Sequence, residues 1–260
     1  MQDKVIVITG ASSGIGAKLA ETVAARGARV VLAARRAAPL AELAHRLGPQ
    51  ALAVTADVTR RADNERLRDE TLARFGQLDV WIANAGRGIS RSVEQLTDDD
   101  LDDMITINVK SVLYGIQAVM PGFRERKRGH LIAVSSMLGR IPLAPVRSAY
   151  SAAKAAVNSL MTSLRLEVKP DFPDIHISTV MPGVVATEFG ANAKHGGPDS
   201  RALPNAQPVE EVAALIADLV ERPQAEIYTR PELRMLAGRY YSAEDVGVLE
   251  AQPPFAIGRR

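Results

Sequence analysis

Short runs rich in Val and Ile alternate with longer amphipathic stretches along most of the 260 residues, and no other feature limits the fold as tightly. The apolar runs fall at residues 5–8, 29–33, 51–55, 78–82, 130–135 and 175–180, with a weaker one at 226–228. Each is short, continuous and apolar, as a strand covered on both faces must be. Between them, residues 15–26, 39–47, 62–75, 99–126, 150–168 and 209–221 read as helices. Pro39 and Pro208 stand near predicted helix starts, where a missing N–H costs nothing. Gly27, Gly48 and Gly76 stand just past predicted ends, where a left-handed cap is required. Strand–helix alternation with short connections demands right-handed crossovers onto a parallel sheet. The expectation is one doubly wound α/β domain over residues 1–260, helices on both faces, with an irregular Gly- and Pro-rich segment near its C-terminal third.

Composition removes several chemistries. The chain has no cysteine, which excludes a disulfide scaffold, a thiolate zinc site, a cysteine nucleophile and an iron–sulfur cluster. His45, His130, His176 and His195 are scattered without ligand spacing, so no metal is expected, and the last three read as strand-edge or loop positions. With 32 basic and 30 acidic residues the net charge is +2, which offers no field for nucleic acid. The basic run at 124–128 and the acidic run at 98–100 suit the two ends of one helix, where the dipole favours them. No apolar run approaches the roughly 20 residues of a membrane span, and residues 5–8 are too short for a signal peptide. A cytoplasmic protein is expected.

Gly10-Ala11-Ser12-Ser13-Gly14-Ile15-Gly16 follows the first run and opens the first helix. Gly10 permits a tight turn, Gly14 lets a phosphate approach the backbone, and Gly16 lets the helix close on the sheet. The helix N-terminus offers N–H groups to a pyrophosphate. The G-x-x-x-G-x-G spacing after Thr9, Asn84-Ala85-Gly86 after the fourth strand, Ser136 after the fifth, and Tyr150 followed four residues later by Lys154 occur in order. Together they resemble the short-chain dehydrogenase/reductase family from residue 4 to about 187, which implies a Rossmann-type fold and hydride transfer between a nicotinamide cofactor and a carbonyl or alcohol.

The Y-x-x-x-K spacing places Lys154 and Tyr150 one above the other on a helix. A free phenol has a pKa of about 10, too high for an efficient base at neutral pH. One positive charge at about 4 Å and an effective dielectric of about 20 supplies about 4 kcal/mol, enough to lower it by two to three units. The resemblance implies that Tyr150 exchanges a proton with the substrate oxygen and that Ser136 hydrogen-bonds the same oxygen. Ser135 is the rival for that role. Lys154 would also bind the nicotinamide ribose, and Asn108 would seat a water linking Lys154 to solvent.

Relatives that prefer NAD carry an acid at the end of the second strand, to read the 2′-hydroxyl. Here Ala34 is followed by Arg35 and Arg36, which suit a 2′-phosphate, so NADP(H) is expected over NAD. Ser12 and Ser13 are further phosphate donors. By resemblance Asp57 and Val58 border the adenine, Asn84, Ala85 and Gly86 border the cofactor, and Pro182, Gly183 and Thr187 meet its carboxamide side. Substrate residues in the family come from loops at 87–97, 137–149 and 184–207 here. Met137, Leu138, Ile141, Pro142 and Leu143 in the second loop suggest an apolar carbonyl compound, and the third loop is expected to be flexible and to close over it. The segment from Glu226 onward departs from the family's usual ending, and a homodimer or homotetramer through residues 100–125 and 150–168 follows from the resemblance alone. The leading reading is a carbonyl reductase or alcohol dehydrogenase. A 3-oxoacyl thioester reductase and a non-catalytic NADP-binding sensor are the alternatives.

Overall fold

In the computed structural model, which describes residues 1–253 and Phe255, all seven apolar runs pair into one parallel sheet. The strands are β1 (Val5–Thr9), β2 (Arg29–Ala34), β3 (Ala51–Thr55), β4 (Val80–Ala83), β5 (Gly129–Val134), β6 (Ile175–Met181) and β7 (Glu226–Tyr228). Their order is β3-β2-β1-β4-β5-β6-β7. The winding reverses between β1 and β4, and in such a sheet ligands bind beyond the carboxyl ends of the strands at that point.

Alternate side chains of the central strands feed two cores. Ile6 and Ile8 of β1, with Val30, Leu32, Ile82 and Ile132, pack under α1 (Gly14–Ala25), α2 (Ala37–Leu47) and α7 (Val209–Glu221). Val5 and Val7, with Val31, Trp81 and Leu131, pack under α3 (Arg61–Phe75), α5 (Ser111–Arg126) and α6 (Ser148–Val168). Burying one such aliphatic side chain is worth about 1.5–3 kcal/mol, so a polar residue at either set would break the sheet's fit to its helices. Leu78 is buried although β4 begins two residues later than the sequence suggested, and Gly115 leaves α5 room to close on the Trp81 indole.

Two further features differ from the sequence expectation, and a third fills in the segment after Pro231, where a helix is expected. Residues 99–126 are not one regular helix: α4 (Asp98–Ile105) passes through a π-helical turn, Thr106–Lys110, into α5. Such turns arise where a side chain is held against the usual ladder, and Asn108, fully buried, lies in this one. His130 is not a strand-edge residue: it lies inside β5, its Nε2 2.7 Å from Ser178 Oγ, and burial pushes its pKa down to about 3, so it is neutral. The chain beyond β7 forms α8 (Pro231–Tyr241) and α9 (Val246–Glu250), whose Ala237 and Leu249 cover Met137 and Ile141 in the loop after β5. Among the described residues no helix is long and apolar enough to cross a membrane, and no cluster of three potential metal ligands exists.

Candidate active site

The turn after β1 is braced before any ligand is considered. Gly10 has φ +68°, and a Cβ there would stand 2.9 Å from Ala85 Cα, while a Cβ on Gly16 would run into the Gly10 carbonyl. The bracing groups are Thr9 and Asn84. Thr9 Oγ1 accepts the N–H groups of Asn84 (3.0 Å) and Ala85 (3.1 Å) and donates to the Ile82 carbonyl (3.3 Å). Asn84 Nδ2 donates to the carbonyls of Thr9 (2.9 Å) and Gly10 (3.4 Å). The Asn84 amide nitrogen is thus held by the turn itself. Thr9 was visible there only as the residue before Gly10.

Around this turn the remaining nucleotide candidates assemble. Ser12 and Ser13 both receive the Arg36 guanidinium, at 3.0 and 2.8 Å from Nη2. Arg35 is exposed, and among the described residues its side chain has no hydrogen-bond or ion-pair partner. Ile15 lies in the first turn of α1, and Thr187 leans over the helix start: its Cγ2 is 3.4 Å from where a Gly14 Cβ would be. Asp57 accepts from the Thr59 N–H (3.0 Å) and hydroxyl (2.7 Å), and the Val58 carbonyl takes Asn64 Nδ2 (2.9 Å). The Pro182 carbonyl accepts the Met137 N–H (2.8 Å), tying the turn that carries Gly183 to the end of β5. A glycine cradle too tight for a Cβ, a free arginine and two serines bonded to a second one fit a phosphorylated dinucleotide.

Beside it, Tyr150 and Lys154 lie one turn apart on α6, and both are buried. Ser136, extended at the end of β5, caps the turn at Met137–Gly139 by accepting the Leu138 N–H (3.1 Å), and it is among the groups that counter the effect of burial on Tyr150. Ser135 points elsewhere, its Oγ donating to the Lys154 carbonyl (3.3 Å). Extended backbone sends neighbouring side chains to opposite sides, which separates the two serines. Gly86 faces the same space, where a Cβ would stand 2.8 Å from Asn108 Oδ1 and 3.5 Å from Lys154 Nζ. Asn108 is tied to backbone at both amide atoms: Oδ1 accepts the Arg87 N–H (3.2 Å), and Nδ2 donates to the carbonyls of Arg87 (3.0 Å) and Met104 (3.1 Å). Its amide fixes the loop after β4.

Burial dominates the electrostatics of the pair. Lys154 Nζ donates to the Val134 carbonyl (2.9 Å) and lies 5.7 Å from the centre of the Tyr150 ring. The ammonium is therefore directed at the end of β5 and not at the phenol. Burial pushes Tyr150 up to about 12, against smaller opposing effects from Ser136 and the Arg147 charge. Burial likewise lowers Lys154 to about 8. Helical spacing brings the two side chains to one face, and desolvation is the largest effect on each.

The loop at 184–207 is held down at many points. Lys194 (3.0 Å) and His195 (2.8 Å) both reach Asp100 at the start of α4, the Lys194 N–H donates to the Gly88 carbonyl (2.9 Å), and the Phe189 ring lies 5.5 Å from that of Tyr150. In the loop after β5, Met137, Ile141 and Leu143 pack against α8 and α9, whereas Leu138 packs in the cluster that contains Tyr150.

Residues 4–196 match the short chain dehydrogenase family. This chain belongs to that family. An uncharacterized oxidoreductase of Listeria innocua is 40% identical over 192 residues, covering 73% of this chain and 77% of that one. An alcohol dehydrogenase of Thermococcus sibiricus, solved with 5-hydroxy-NADP, superposes with a TM-score of 0.76 at 28% identity, over 87% of this chain and 96% of that one. A 3-ketoacyl-(acyl-carrier-protein) reductase of Brucella melitensis, solved with NADH, gives 0.78 at 26% identity, over 88% and 98%. As a short-chain dehydrogenase, the chain is an oxidoreductase with a nucleotide-binding Rossmann-like sheet.

Proposed function

We propose that this short-chain dehydrogenase is an NADP(H)-dependent carbonyl reductase or alcohol dehydrogenase in which Tyr150 exchanges the proton. The reading is carried by one juxtaposition: Tyr150, Ser136 and Lys154 converge beside the glycine turn, at the sheet's point of reversal. The nicotinamide, when bound, supplies or accepts hydride at the carbonyl carbon. Tyr150, near 12, is fully protonated at neutral pH and is set to give its proton to the oxygen that gains charge. Ser136 orients that oxygen. Lys154, near 8, keeps most of its charge at pH 7 and lowers the cost of the phenolate left behind. This state favours reduction, because oxidation must begin from a phenolate.

Preference for NADPH rests on the chain's own residues, since the two solved relatives carry cofactors of both kinds. Ala34 ends β2 where an acid would read a 2′-hydroxyl, Arg36 is already fixed against Ser12 and Ser13, and Arg35 is free. Assembly as a dimer through α5 and α6 belongs to the same reading, with Leu166 of α6 exposed. Absorbance of NADPH and NADH across ketones, aldehydes and 3-oxoacyl thioesters tests it. Turnover of one carbonyl class with NADPH is expected. Turnover confined to NADH would remove the arginine argument, and tight NADPH binding without turnover of any class would favour the sensor.

A further inference from the structure

Three hydrogen bonds tie the end of β5 to a single turn of α6. Lys154 Nζ donates to the Val134 carbonyl (2.9 Å), Ser135 Oγ donates to the Lys154 carbonyl (3.3 Å), and Asn158 Nδ2 donates to the Gly139 carbonyl (3.0 Å). The first two hold the strand end. The third holds the far side of the short turn at Met137–Gly139, which Ser136 opens. Asn158 is buried and lies one helical turn after Lys154 and two after Tyr150, yet no step described above uses it.

The turn is so short that whatever holds Gly139 also holds Ser136. The Gly139 N–H donates to the Ser136 carbonyl (3.0 Å), and the Leu138 N–H donates to Ser136 Oγ (3.1 Å). Gly139 is also pressed onto α6: a Cβ there would stand 2.7 Å from the Lys154 carbonyl carbon and 2.9 Å from Asn158 Nδ2. The Met137 N–H adds a backbone bond to the Pro182 carbonyl (2.8 Å). Among the described residues, Asn158 is the one side chain from outside the turn and its cap that bonds to it. Its Oδ1 is buried without a partner, a cost that an apolar residue filling the same space would avoid.

We propose that Asn158 is a positioning residue: by holding the Gly139 carbonyl it fixes the turn that carries Ser136 against the helix that carries Tyr150, and so sets the spacing of the two hydroxyls around the substrate oxygen. This rests on the carbonyl-reductase reading of the same site. Asn158 touches neither substrate nor cofactor in this role and acts only through Ser136. Displacing a reacting group by about 1 Å costs up to about a hundredfold in rate, so the loss of one anchor two residues from Ser136 Oγ is large enough to measure.

The test is a double-mutant cycle in NADPH-dependent carbonyl reduction, joined to amide hydrogen exchange on the cofactor-free protein. Asn158→Ala should lower kcat/KM for the carbonyl at least about tenfold and leave the affinity for NADPH within about threefold. In a Ser136→Ala background the same substitution should lower kcat/KM by less than about threefold, because the group it positions is gone. Equal falls in the two backgrounds, the mark of a merely structural role, overturn the proposal. Exchange of the Leu138 and Gly139 amides should quicken at least about tenfold in Asn158→Ala, with Ala153 and Val157 of α6 within about threefold. Unchanged exchange at Leu138 and Gly139 overturns the proposal whatever the enzyme turns over. If the wild type reduces no carbonyl and the exchange still quickens, the clamp on the Ser136 turn stands and the carbonyl-reductase reading falls. Asn158→Leu, which fills the site and lacks the donor, is held to the same criteria if Asn158→Ala does not fold. Recovery of neither variant as folded protein that binds NADPH overturns the proposal in favour of a structural role.

Discussion

Lys154→Met should make the protein more stable relative to wild type at neutral pH than at alkaline pH, while removing activity. Lys154 is 4% exposed, and its pKa falls from 10.5 to about 8 by burial. The native state therefore binds fewer protons than the unfolded chain between those values, and stability rises with pH across that window. At pH 7 the charged side chain costs about 3 kcal/mol relative to a neutral one, and at pH 10 less than about 1 kcal/mol. Methionine has similar length and no charge. Its loss of the donor to the Val134 carbonyl costs about 1–3 kcal/mol, but equally at every pH, so it moves the level and not the slope. Urea unfolding at pH 7, 8, 9 and 10 without nucleotide should show wild type gaining about 2–3 kcal/mol on the variant. Tyr150 is common to both proteins and cancels. Parallel stability curves, within about 0.5 kcal/mol, would refute the reasoning and place the Lys154 ammonium in an environment that solvates it.

Other outcomes follow from the same geometry. Carbonyl reduction should slow as pH rises through about 8, where Lys154 loses the charge that eases the phenolate while Tyr150 itself stays protonated; a reduction rate unchanged from pH 6 to 9 would contradict this. Asp100→Asn should free the loop at 184–207, seen as faster proteolysis within it and a higher KM, since Asp100 is the shared partner of Arg91, Lys194 and His195. Hydrogen bonds from His195 and Lys194 hold the Asp100 carboxyl well below its usual 3.8. Its contribution is present above the ordinary carboxylate range and is lost only as pH falls well below it, so the wild-type loop should resist proteolysis down to pH 4. Arg35→Ala should raise KM for NADPH about 10- to 100-fold and leave KM for NADH within about threefold.

The strands were legible because a doubly covered sheet needs continuous apolar runs, and few other structures tolerate them. The π-helical turn was not, because residues 106–110 have ordinary helical composition and the buried Asn108 amide within it bonds the Arg87 backbone, a partner the local sequence does not reveal. Motif spacing placed Tyr150, Lys154 and Ser136 in one region, since i and i+4 share a helix face. It carried no information on solvation, and solvation sets the protonation of the pair. Nor did it show that the amides of Asn84 and Asn108 bond to backbone. The packing of the apolar loop after β5 was not legible either, because its partners lie some hundred residues later, in α8 and α9. Asn158 passed unnoticed because nothing in the sequence marks which buried amide will meet the Gly139 carbonyl.

The most direct measurement is steady-state NADPH consumption by wild type and Tyr150→Phe on the best carbonyl of the panel, with NADPH affinity measured in parallel by fluorescence titration. The expected result is a loss of kcat of at least about a hundredfold, with the affinity for NADPH changed by less than about threefold, as for removal of a proton donor. Retained turnover in Tyr150→Phe would contradict the assignment of the proton to this residue.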